Sequence, residues 1–116
     1  MRYMIIVKAT PESEAGCMPG EDLLNAMADY HGELARAGVL LGAQSLAPQS
    51  RATRVRVEGG KARAVDGPCA EAKEMIGGFF HVDVATHAEA VALAARCPAA
   101  EWATVEVRAL APCYES

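Results

Sequence analysis

The chain has 116 residues, of which 52% are hydrophobic and 22% are charged, and this length and composition are typical of one compact globular domain. Its 11 basic and 15 acidic residues give a formal net charge of −4, so the overall field does not attract nucleic acid or an anionic membrane. No apolar run reaches the roughly 18 residues that a membrane span needs, and the apolar start is too short for a signal peptide. The sequence therefore predicts one domain over residues 1–116, a cytoplasmic location, and no nucleic-acid or membrane partner.

The cysteines predict neither a disulfide framework nor a metal site. No two of them form a C-x-x-C pair, and a cytoplasmic chain keeps its thiols reduced. No group of His, Cys and carboxylate residues has the spacing of metal ligands. We therefore expect free thiols, no metal and no cofactor. The cysteines are Cys17, Cys69, Cys97 and Cys113.

The first half of the chain predicts a βαβ unit. Residues 2–9 contain an unbroken apolar run, which is typical of a central strand. A helix is expected from Glu21 to Arg36, because acidic residues fill its first turn and Gly38 can end it in the left-handed conformation. A second strand over 39–46 returns close to the first. The helix has an apolar stripe, predicted to pack on a sheet, that consists of Leu23, Leu24, Met27, Tyr30, His31 and Leu34.

The second half predicts a hairpin followed by a second βαβ unit. Strands at 53–58 and 61–65 flank Gly59-Gly60, a strong signal for a two-residue turn. A strand at 79–84 follows, then a helix that opens with a capping box from Thr86 to Glu89 and stops at Cys97-Pro98. The last strand spans 104–110. This order predicts one α+β domain of the split-βαβ type, with both helices on one face of an antiparallel sheet.

The alternation of side chains predicts that the two faces of this sheet differ. One face is apolar and should meet the helices, whereas the other is semi-polar with a large aromatic ring. A face of the second kind suits a partner subunit or a shared ligand cavity, so we expect a homodimer through it. The apolar set is Phe80, Val82, Val84, Val105, Val107 and Ala109, and the semi-polar set is Phe79, His81, Asp83, Thr104, Glu106 and Arg108.

The densest motif is residues 66–79, D-G-P-C-A-E-A-K-E-M-I-G-G-F. Its first three residues predict a turn, three charges follow within about one helical turn, and the paired glycines permit close backbone approach. The string resembles the D-G-P-F-A-E-x-K-E-x-x-G-G-F signature of the YCII-related family, in its DGPF-domain branch. Similarity to the family pattern extends to residues 1–4, 37–40, 54–56, 96–98 and 105–108. Cys69 departs from the signature, which has Phe at that position.

The resemblance implies a ferredoxin-like βαβ-hairpin-βαβ fold that pairs into a dimeric α/β barrel. It implies no established reaction, so two functions stay open. One is a small-molecule enzyme with a ligand cavity at the dimer barrel. The other is a non-catalytic binding or accessory module, since DGPF-type proteins resemble companions of extracytoplasmic-function sigma factors. Some relatives carry a proposed active-site His about one turn before His31, where this chain has Met27, so that role is not transferred.

The candidate ligand-binding residues combine the motif with the semi-polar face. Neighbouring carboxylates and an ammonium can shift one another's pKa, and an imidazole and a carboxylate at i and i+2 share one strand face. Each group also has a structural alternative, namely a turn cap, a solvated charge or a polar pair at a subunit interface. The candidates are Asp66, Glu71, Lys73, His81, Asp83 and Arg108. Cys69, one turn before Lys73, is either a reactive thiol or a small apolar filler.

Five of the 11 basic residues lie within residues 51–63. Like charges directly opposite on a hairpin are destabilising, so Arg56 facing Arg63 implies a counter-charge. That anion is Glu58, a carboxylate of a partner subunit or a small ligand. No aromatic residues interleave the cluster, which disfavours nucleic acid. The candidate anion-binding residues are Arg54, Arg56 and Arg63.

Overall fold

The computed structural model describes residues 1–11, 20–48, 51–66 and 76–110. They form an α+β structure with two helices and antiparallel sheets, consistent with the expected ferredoxin-like fold. The strands are β1 (Arg2–Lys8), β2 (Leu40–Ser45), β3 (Thr53–Glu58), β4 (Lys61–Asp66), β5 (Ile76–Asp83) and β6 (Val105–Ala109). The helices are α1 (Glu21–Arg36) and α2 (His87–Ala95), and a 3₁₀ turn, Pro98–Glu101, follows α2.

The main sheet has the order β2-β5-β1-β6, and every neighbouring pair is antiparallel. The second strand returns near the first, but β5 lies between them, so β1 and β2 do not pair. β5 begins at Ile76, three residues before the predicted start at Phe79. β3 and β4 form a separate two-stranded sheet instead of joining the main one.

The core lies between the main sheet and the two helices, and Ile5 and Val82 are fully buried there. The prediction that Phe80, Val82 and Val84 face the helices is confirmed, since all three belong to this core. The ring of Tyr30 on α1 meets that of Phe80 edge-on, with the ring centres 5.1 Å apart. Aromatic pairs of this geometry contribute about 0.5–1.5 kcal/mol beyond their buried area.

The end of α1 and the start of α2 have the caps that the sequence predicts. α1 spans the expected residues, and Gly38 follows it with a φ of +75°. At the start of α2, the Thr86 hydroxyl accepts a hydrogen bond from the backbone N–H of Glu89 at 3.2 Å. The Glu89 carboxylate in turn accepts one from the N–H of Ala85 at 3.1 Å. These bonds satisfy N–H groups that have no partner within the helix.

The hairpin of β3 and β4 turns through Gly59 and Gly60, whose φ values of +58° and +80° are those that a two-residue turn of this type requires. Arg56 lies directly opposite Arg63, as predicted. All the residues of both strands are exposed. We call this hairpin, together with Arg51 and Ala52 before it, the arm (residues 51–66).

Within the described ranges, neither helix is long and apolar enough to cross a bilayer. The same residues contain no group of three or more His, Cys, Asp or Glu side chains placed to hold a metal ion.

Candidate ligand-binding groove

A groove of about 750 Å³ lies between the N-terminal part of α1 and the β2–β5 side of the main sheet. Ligand pockets in proteins typically have volumes of about 300–1,000 Å³. The groove lies on the helix side of the sheet, and its lining is largely apolar. The lining residues include Leu24, Met27, His31, Ala43, Phe80 and Trp102.

The apolar stripe of α1 divides between the core and this groove. Tyr30 and Leu34 are buried in the core, as the periodicity predicts. Leu24 is 46% exposed and His31 is also exposed, and both line the groove. The sheet therefore covers only part of the stripe, and the N-terminal turns of α1 remain available to a ligand.

The groove exists because the sheet has small residues beneath those turns. Ala43 on β2 and Gly77 and Gly78 on β5 line its wall. A Cβ on Gly78 would lie 2.8 Å from the carbonyl oxygen of Gln44, which is closer than real Cβ atoms approach backbone. The close backbone approach predicted for the paired glycines is thus confirmed at Gly78.

The polar groups of the groove are few. The imidazole of His31 lies 6.4 Å from the ring of Phe80, measured between centres, and an imidazole can donate, accept or transfer a proton. Trp102, directly after the 3₁₀ turn, is 46% exposed and also lines the groove. Lys8, Gln44 and Ser45 also line the groove. Largely apolar walls with these few polar groups favour a largely apolar molecule that carries polar groups.

The periodicity of α1 predicts a packing role for His31 and Met27, and no sequence pattern singles out Trp102. The apolar stripe of six residues along this 16-residue helix is a sequence signal for the groove. Small residues, Ala43 and the paired glycines, lie opposite its N-terminal turns and leave open volume there.

Three of the predicted site residues share the opposite, semi-polar face of the sheet. His81 and Arg108 both lie across from Met4, one on each side, so their backbones are about 10 Å apart. The Asp83 carboxylate lies 3.1 Å from the amino group of Met1. The Arg108 guanidinium lies 2.7 Å from the carboxylate of Glu106, an ion pair.

His81 carries the one unusual polar atom of this set. Its Nε2 is buried and has no hydrogen-bond partner within the described part of the chain. A buried polar group that makes no hydrogen bond costs about 1–3 kcal/mol. A hydrogen bond from a partner subunit, a ligand or a water would remove this energetic cost on the semi-polar face.

Asp66 lies apart from both faces. Its carboxylate accepts a hydrogen bond from the Thr53 hydroxyl at 2.9 Å, across the base of the arm, and the carboxylate does not line the groove. This bond joins the two ends of the hairpin, and the turn that the sequence predicts after Asp66 lies outside the described residues. Glu71, Lys73 and Cys69 lie outside the described residues.

The arginine pair of the arm has a carboxylate between its members. Glu58 lies 3.4 Å from Arg63 and 4.0 Å from Arg56, which is the first of the counter-charges that the sequence suggested. Arg54 lies on the same face, opposite Val65.

Within the described ranges, two buried groups have shifted pKa values, and both are structural. Burial raises the pKa of the Tyr30 phenol, and the nearby Cys97 adds to the rise. Burial also raises the pKa of the Cys97 thiol, although backbone hydrogen bonds from Ala99 and Ala100 oppose the shift. Both groups are therefore held neutral between α1, α2 and the 3₁₀ turn.

Comparison with known proteins gives one finding about family. The sequence model of a family described as YCII-related domain matches residues 1–113, a range that includes every strand and helix described above. No curated protein matches the chain.

Proposed function

The chain belongs to the YCII-related family, and we propose that it binds a small, largely apolar organic molecule in the helix-side groove. The observation that carries this proposal is the open apolar volume of about 750 Å³ with the His31 imidazole on its wall. His31 is suited to orient a polar group of the ligand by a hydrogen bond, or to move a proton if the ligand reacts there.

We also propose that the chain forms a homodimer. We place the chain in the DGPF branch of the family on the motif at residues 66–79, and we propose a cytoplasmic protein that pairs through the semi-polar sheet face into a dimeric α/β barrel. The unpaired Nε2 of His81 supports pairing at this face, because a donor or acceptor from a second subunit would satisfy it.

A cavity enclosed at the dimer barrel is the second candidate site. His81, Asp83 and Arg108 would line it, and the same buried Nε2 favours it. Asp66, Glu71 and Lys73 remain proposed contributors through the neighbouring motif, and Arg54, Arg56 and Arg63 remain a proposed anion-binding set. The reaction class stays open in either cavity, and an accessory module linked to extracytoplasmic-function sigma factors would bind its ligand without chemistry.

The test of the groove uses the neutral fluorescent probe N-phenyl-1-naphthylamine, an apolar molecule with one polar N–H group, and two matched variants. Leu24→Lys places a charge in the groove, whereas Val91→Lys makes the same kind of change on α2 outside it; the two residues are 46% and 45% exposed. We expect Leu24→Lys to weaken binding of the probe at least tenfold, about 1.4 kcal/mol. Val91→Lys should bind like the parent chain.

Equal affinities in the two lysine variants would refute the groove as the binding site. His31→Gln keeps a hydrogen-bonding group but cannot relay a proton as an imidazole does. If His31 only orients a ligand, this variant retains most of the affinity for it. The dimer-barrel alternative makes a different prediction, since there His81→Ala weakens binding and Leu24→Lys does not.

A further inference from the structure

The arm is a two-faced element with no packed core of its own. Its two valines of β3, Val55 and Val57, share one face with Ala62 and Ala64 of β4. Val55 is 64% exposed and Val57 is 69% exposed. A lone two-stranded hairpin is marginally stable in water, so an element of this kind normally packs its apolar face against something.

The charge of the arm is opposite to that of the rest of the chain. The arm has five basic and two acidic side chains, a net charge of +3. The other 100 residues have six basic and thirteen acidic side chains, a net charge of −7. A second copy of this chain therefore offers the arm an oppositely charged surface, and such complementarity favours the encounter of two copies.

Within the part of the chain that the structure describes, the acidic charge outside the arm is concentrated on the helix side. Residues 21–36 and 87–101 have six exposed acidic side chains and two exposed basic ones. The acidic residues are Glu21, Asp22, Asp29, Glu33, Glu89 and Glu101, and the basic residues are Arg36 and Arg96. Among the described residues, the semi-polar sheet face has no such excess, since Asp83 and Glu106 share it with Arg2 and Arg108. Charge therefore directs the arm to the helices and away from the sheet.

The helix side also has an apolar surface to receive the valines. Leu24, Leu46 and Trp102 are each close to half exposed, and all three line the groove. Acidic residues lie close to two of them in the sequence: Asp22 is two residues before Leu24, and Glu101 is directly before Trp102. An apolar surface with acidic neighbours complements an apolar hairpin face with long arginine side chains at its back.

We propose that the arm of one copy docks on the helix side of a second copy, with Val55 and Val57 against the apolar rim of its groove. The partner thus contributes one wall to the groove. This contact is separate from the pairing of sheet faces, and its existence does not depend on whether the groove holds a ligand.

The first test compares two valines on opposite faces of the arm. Val55 is 64% exposed on the apolar face and Val65 is 63% exposed on the arginine face. Both substitutions are made in a Phe79→Asp chain, in which the pairing of sheet faces is removed. We expect Val55→Ser to raise the dissociation constant for the remaining self-association at least tenfold, measured by sedimentation, and Val65→Ser to leave it within twofold. Equal effects of the two substitutions, or a chain that stays monomeric at 100 µM, would overturn the proposal.

The second test identifies the docking surface. A photo-crosslinking benzoylphenylalanine at position 57 is irradiated in a mixture of unlabelled and ¹⁵N-labelled chains, and crosslinked peptides are mapped by mass spectrometry. We expect mixed-isotope crosslinks to α1 or to residues 98–102. Crosslinks within one chain, crosslinks to the strands of the sheet, or no mixed-isotope products would each contradict docking on the helix side. Binding of the fluorescent probe is scored separately, so failure of the groove proposal is distinguishable.

Discussion

The hydroxyl of Tyr30 joins the two helices. It donates a 2.7 Å hydrogen bond to the carbonyl of Leu93 on α2, and the residue is 3% exposed. Tyr30→Phe removes the donor and leaves that carbonyl without it, so we expect the free energy of unfolding to fall by about 1–3 kcal/mol. Urea denaturation measures the loss. Tyr3→Phe is the control, because Tyr3 is equally buried but its hydroxyl meets only the sulfur of Met1 at 3.6 Å.

The same phenol predicts how stability depends on alkaline pH. Burial raises the pKa of Tyr30 above its ordinary value of 10.0, so the folded chain keeps a proton that the unfolded chain loses. The stabilisation is complete below pH 10 and is lost as the pH rises from 10 toward the folded pKa, by at most about 1.4 kcal/mol per pH unit. Tyr30→Phe should show a shallower fall of stability above pH 10. Parallel curves for the parent and this variant would contradict the assignment.

Among the elements, the contact between β2 and β5 depends on Gly78. Gly78→Ala would place a methyl group 2.8 Å from the Gln44 carbonyl oxygen, so β2 must move and overpacking of this kind costs about 1–3 kcal/mol. Gly77→Ala is a neighbouring control, because its Cβ would meet backbone at an ordinary 3.5 Å. We expect urea unfolding to show a large loss for the first variant and a small one for the second. Similar losses of unfolding free energy in the two variants would contradict the idea that the close approach of the Gln44 carbonyl requires glycine at position 78.

The arm predicts a salt-specific effect. Glu58 lies between Arg56 and Arg63, and an exposed ion pair contributes roughly 0.2–1 kcal/mol. Glu58→Gln leaves two like charges opposite each other, so amide hydrogen exchange within β3 and β4 should become faster. Sulfate should slow that exchange more in Glu58→Gln than in the parent chain at matched ionic strength. If sulfate acts equally on both, Glu58 is not the counter-ion of the pair.

The sequence predicted the ends of α1 and the hairpin well, because a few neighbouring residues determine each of them. The ends of α1 follow from its charged turns and Gly38, and the hairpin follows from Gly59 and Gly60. The groove was not predicted, since it arises where exposed turns of α1 pass over Ala43 and Gly78, residues that are distant in sequence. The separation of the arm from the main sheet was not predicted either. Pairing signals within a hairpin do not determine whether the hairpin adds to another sheet.

For the molecule as a whole, the exposed surface is larger than that of a compact monomer. The chain exposes 8099 Å², whereas a compact monomer of 12.2 kDa exposes about 6,100 Å². Its radius of gyration is 16.1 Å, against about 13 Å for a compact domain of this length. A standard interface buries about 800 Å² on each partner. The excess of exposed area over that of a compact monomer is therefore large enough for the sheet-face pairing that we propose and for the docking of the arm as well.

The last prediction concerns that sheet face. Phe79 is half-buried beside His81, and in a face-to-face dimer its ring would be enclosed by the second sheet. Phe79→Asp would then bury a carboxylate without a partner, at a cost of several kcal/mol, so the dissociation constant should rise at least a hundredfold, about 2.7 kcal/mol. Light scattering at low micromolar concentration measures it. Val91→Asp, on α2 and away from this face, should leave the assembly unchanged, whereas a Phe79→Asp chain that assembles like the parent would show that the semi-polar face is not the interface.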